Sequence, residues 1–143
     1  MVAVTTPELA TAAQALLERV GADSSRPATV PVAAARACEQ LAACLADFIG
    51  QSGARALFDR SLALTIRDHP WLADAVPPKG EPAWARLSTC LEARRPAAMQ
   101  VSITLVATFV GLFSSFVGTG LAFRILSKSW PDVFLVAVFE STP

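Results

Sequence analysis

From Leu9 onward, apolar residues fall one helical turn apart: Leu9, Leu16, Leu17 and Val20, with Ala12 and Ala13 between them. Thr6-Pro7-Glu8 supplies a helix start. It offers a capping hydroxyl, a proline at the first position and an acid where the helix dipole favours one. Gly21 supplies the stop. The next stretch, ADSSRPATVP, is linker-like, so the first helix is expected to be a loosely attached arm. A second helix is predicted from Pro31 to about Ile49, with Cys38, Leu41, Leu45, Phe48 and Ile49 as its apolar stripe. Gly50-Gln-Ser-Gly53 interrupts it. A third segment, about 54–68, carries Leu57, Phe58, Leu62, Leu64 and Ile66, with Arg55 and Asp59 spaced to pair on its exposed face. Residues 69–82 hold four prolines and a glycine and form the main loop. A short helix, about 83–94, follows with Trp84, Leu87 and Leu91 on one side.

Residues 101–123 read VSITLVATFVGLFSSFVGTGLAF, twenty-three positions without a charge. A bilayer span needs about 20 apolar residues, and the central helix of a soluble bundle can look the same. One stripe of this run is small: Thr104, Thr108, Gly111, Ser115, Gly118 and Ala122. Such a stripe lets another helix approach closely, in water or in lipid. Phe109, Phe116 and Phe123 repeat every seven residues as an aromatic ridge. Gly118-Thr119-Gly120 is a candidate break, which would shorten any span. Arg94 and Arg95 precede the run and Arg124 and Lys128 follow it, so flanking charge sets no orientation. The tail at 133–139, VFLVAVF, fits a strand, a short helix or an extended arm.

A faint repeat runs through this pattern. Phe48-Ile49-Gly50 is echoed in Phe109-Val110-Gly111 and in Phe116-Val117-Gly118. Each half reads as a long apolar helix, a glycine interruption and a second helix, with Pro70-Trp71 closing one half and Trp130-Pro131 the other. The first copy contains Glu39, Asp47 and Arg55 and cannot face lipid, which favours a buried helix for the second. The expected fold is therefore an all-α, compact bundle of about five or six helices. It consists of an N-terminal helix and linker at 1–30 and a helical domain at 31–143, with hairpins at 31–76 and 83–143. A very apolar central helix lies near 97–128.

Composition narrows the function. The 143 residues suit one domain, with 12 Lys and Arg against 12 Asp and Glu. Zero net charge lacks the basic footprint of a nucleic-acid binder and leaves little repulsion against self-association. Charged residues are only 17%, so much apolar surface must be hidden in a core, a partner or lipid. The N-terminus lacks the pattern of a secretory signal, which points to the cytoplasm, with the inner or plasma membrane as the alternative. Cys38, Cys44 and Cys90 follow no disulfide or metal-ligand spacing and read as small buried hydrophobes. His69 is the only histidine and sits at a helix end rather than in a catalytic constellation. Gly118-Thr119-Gly120 lacks the third glycine and the preceding strand of a dinucleotide site. No catalytic residue, cofactor or metal site is expected. The expected role is a non-enzymatic interaction module, an adaptor or scaffold that self-associates or docks another protein. Gly111, Ser115, Gly118, Trp130, Phe134 and Val136 are its candidate interaction residues. A single-span membrane protein with a helical cytoplasmic domain is the competing expectation.

Overall fold

The structure, a computed structural model, describes residues 7–22 and 28–134. These residues form an all-α bundle without a strand among them. Helix α1 spans Pro7–Ala22, α2 Val30–Asp68, α3 Leu87–Glu92, α4 Arg95–Val117 and α5 Thr119–Ser127. A 3-10 turn at Pro70–Ala75 follows α2, and residues 131–134 add one helical turn after α5. Prolines in the first turns of α2 and α4 suit positions whose N–H groups have no partner within the helix. His69 ends α2, its backbone N–H donating to the carbonyls of Thr65 and Ile66.

Two glycines turn the chain. Gly50 (φ 79°, ψ 164°) divides α2 into arms at 30–49 and 51–68, and Gly118 (φ 96°, ψ 143°) separates α4 from α5. A left-handed φ is costly for any residue with a Cβ, so these corners belong to glycine. The two hairpins match at a constant offset of 68 positions. Leu45 and Phe113, Ala54 and Ala122, Phe58 and Leu126, and Leu62 and Trp130 are all buried, while Phe48 and Phe116 are exposed two residues before each corner. The shared register is set by Gly50 and Gly118 rather than by Gly111. The apolar segment near 97–128 is accordingly two helices, broken at Gly118.

The core lies where the hairpins meet. Phe58, from the second arm of α2, packs edge-on to Phe109 of α4 (5.5 Å) and to Trp84 of the loop (6.0 Å). Helix α1 is not a loose arm. Leu9, Ala12, Ala13, Leu16, Leu17 and Val20 are buried, and α1 packs on both α2 and α4. After α5 the chain folds back so that Phe134 lies 5.5 Å from Phe123 and 6.2 Å from Trp130. Helix α4 is long and apolar enough to cross a membrane, yet most of its apolar stretch is buried by the other helices. Leu105, Val106, Ala107, Phe109 and Phe113 are fully enclosed.

Candidate functional site

The sequence-predicted interaction residues divide into two groups. Gly111 is buried in the bundle, as is Thr108 on the same stripe, so this part of the small-residue stripe already packs inside the molecule. Ser115 and Gly118 are exposed at the α4–α5 corner. Trp130 and Phe134 are buried rather than displayed, a correction to their expected role as a docking surface. Phe134 packs against both Phe123 and Trp130, and large rings gain more from such packing than from remaining in water. Val136 and the rest of the tail beyond Phe134 lie outside the described residues, so no structure is assigned to them.

Among the described residues, Val32, Phe48, Val76, Phe116 and Leu121 are the large apolar side chains left exposed, and two of them meet at the α4–α5 corner. Phe116 is 68% exposed and Leu121 47%, one on each side of Gly118. Ser115, Thr119 and Gly120 between and beside them are exposed too, and no charged side chain occurs between Arg95 and Arg124. The heptad of phenylalanines is thus broken: Phe109 and Phe123 enter the core, while the turn at Gly118 leaves Phe116 outside. Phe48, at the other glycine corner, is 52% exposed, with the Lys128 ammonium 5.9 Å from its ring centre.

A second feature lies within the first hairpin. The two arms of α2 and residues 82–84 enclose an open cleft of about 710 Å³. Glu39, Ala43 and Ala46 line it at spacings of four and three from the first arm, and Ser52, Arg55 and Asp59 line it from the second. Ala42, Ala54 and Ala56 keep its walls low, and Trp84 bounds it beside Pro82. Arg55 is engaged: its Nε donates to Asp59 Oδ1 at 3.0 Å, the pair expected from the spacing, and its Nη1 to the Glu81 carbonyl. Glu39 forms no ion pair among the described residues.

The groups capable of reaction chemistry are dispersed. Burial pushes the Cys38 thiol up to about 12, and burial also raises those of Cys44 and Cys90. A raised thiol lacks the thiolate that a nucleophile or metal ligand needs. Cys44 accepts a long contact from the Ser129 hydroxyl (3.9 Å), and the Cys90 thiol donates to the Trp71 carbonyl (3.6 Å). The His69 ring packs edge-on to Trp71, whose face carries the Arg94 guanidinium at 5.5 Å. Among the described residues, no three or more His, Cys, Asp or Glu side chains gather where they could hold a metal ion.

Comparison with known proteins leaves this geometry to speak alone. No family model matches the chain, and no curated protein or solved structure is similar enough to match it.

Proposed function

We propose that this protein is a non-enzymatic helical interaction module that self-associates through the α4–α5 corner. One observation carries the reading: two large apolar side chains, Phe116 and Leu121, stand open on an uncharged corner while the rest of α4 is largely enclosed. An open apolar patch is a usual mark of a docking surface. Zero net charge lets copies approach without strong repulsion. Fully burying a Phe or Leu side chain is worth roughly 1.5–3 kcal/mol. Two such anchors stand against roughly 4–15 kcal/mol of lost freedom on association, so further contacts must join them. This balance favours reversible, concentration-dependent assembly over an obligate dimer. In this reading the protein works in the cytoplasm, with α4 as the core helix of the bundle.

A second reading, a span formed by α4, draws support from its length and apolar composition. The partners that enclose most of that helix weigh against it.

Sedimentation velocity across a concentration series tests the proposal. Wild type should shift toward a larger species as concentration rises, and Phe116→Asp with Leu121→Asp should remain a monomer with an unchanged helical signal. Wild type that stays monomeric throughout defeats self-association, and capture of a different protein by the corner would redirect the partner. Resistance of the expressed protein to alkaline carbonate extraction would support the span instead.

A further inference from the structure

Resting on that reading, we infer that the surface receiving the α4–α5 corner is the alanine-walled cleft of a second copy. The corner is a projection: Phe116 and Leu121 stand out around Gly118. The cleft is a recess of about 710 Å³ whose walls include six alanines and whose edge carries the Trp84 indole. Pockets in this size range hold a group of side chains or a small ligand, and low alanine walls let a helix corner approach. The charges complement each other as well. Arg124 lies three residues after Leu121 on α5, exposed and in no ion pair among the described residues. Glu39 is the cleft carboxylate that forms no ion pair among the described residues, whereas Asp59 already neutralises Arg55. Seating the corner in the cleft would bring Arg124 toward Glu39 while Phe116 and Leu121 fill the recess.

The hairpin repeat adds an independent argument. Glu39, Ala43 and Ala46 of the cleft correspond, by the offset of 68, to Ala107, Gly111 and Ser114. All three of the latter are buried inside the bundle. Arg55 corresponds to Phe123, which is covered by Phe134. The second hairpin is thus closed at positions whose counterparts in the first are open or half-buried, and it places Phe123, packed on Phe134, where the first has Arg55. An aromatic from another copy is the matching occupant.

Mixing two variants tests this. Phe116→Asp removes the projection and keeps the recess. Ala43→Trp fills the recess and keeps the projection; both positions are exposed in the monomer, so each variant should retain the wild-type circular dichroism and melting temperature. Each alone should be monomeric in sedimentation velocity where wild type assembles, and an equimolar mixture should form a 1:1 heterodimer. Ala43→Trp that assembles like wild type, or a mixture that forms no complex, overturns the cleft while leaving the corner proposal intact if Phe116→Asp is monomeric. A monomeric wild type overturns both. Glu39→Arg should weaken assembly by about fivefold at most, as for an exposed pair, and combining it with Arg124→Glu should restore it. Failure of that restoration removes the ion pair from the interface.

Discussion

Cys38 has no exposed surface, and burial alone pushes its thiol up to about 12 from an ordinary value of 9.0. In the unfolded chain the same thiol ionises near its ordinary value. Between those two pH values the unfolded state binds fewer protons than the folded one, so stability falls as pH rises. The contribution is fully present below pH 9 and is lost progressively toward pH 12, with a slope of up to about 1.4 kcal/mol per pH unit. Urea unfolding at pH 8 and pH 10.5 should therefore show a loss of stability in wild type that is smaller in Cys38→Ala. Equal losses in the two proteins would mean that the thiol is hydrated. The sequence supports this much, because Cys38 sits on an apolar stripe at helical spacing. Phe116 was less legible. In a run that is apolar on every face, periodicity cannot rank one phenylalanine above another, and only the turn at Gly118 decides which is left in water.

Two nearby glycines separate the demands of a corner from those of a helix. Gly118 adopts φ 96°, whereas Gly120 lies within α5, and a Cβ added at either would meet nothing within 4 Å. Space is therefore irrelevant and conformation decides. Gly118→Ala should destabilise by about 1–2 kcal/mol, the cost of a left-handed backbone for a residue with a Cβ. Gly120→Ala should stabilise by up to about 1 kcal/mol, the difference in helix propensity. Opposite shifts in the urea midpoint would establish the corner, whereas two shifts of the same sign would mean a continuous helix through Gly118. At this scale the sequence was informative: Pro7, Gly50, Pro70, Pro96 and Gly118 each act locally on the backbone, and each lies at or beside an observed element boundary. The cleft left no such trace. Its alanines read as ordinary helix formers, and only the return of the second arm past the first makes them walls. The burial of Trp130 and Phe134 was hidden for the same reason, since Phe134 packs on Phe123 across a turn and Trp130 packs on Phe134.

The whole molecule depends on the meeting of the hairpins, where Phe58 touches both Phe109 and Trp84. That junction also bears on whether α4 is a core helix or a span. In the bundle, Phe58 and Phe109 are both fully buried with ring centres 5.5 Å apart, so each Phe→Ala change should cost about 3–5 kcal/mol. Because the rings touch, the double variant should cost less than the sum of the two, with a coupling of roughly 0.5–3 kcal/mol. If either single variant is too unstable to measure, Phe→Leu at the same positions keeps the cycle readable at smaller cost. The measurement is urea unfolding of the detergent-free protein. Clear coupling would place α4 against the second arm of α2 in water, with α4 as the structural centre and the α4–α5 corner as its exposed end. Strict additivity would separate the two helices in solution. Helix α4 would then have to hide its apolar faces elsewhere, and a bilayer is the environment that its length fits.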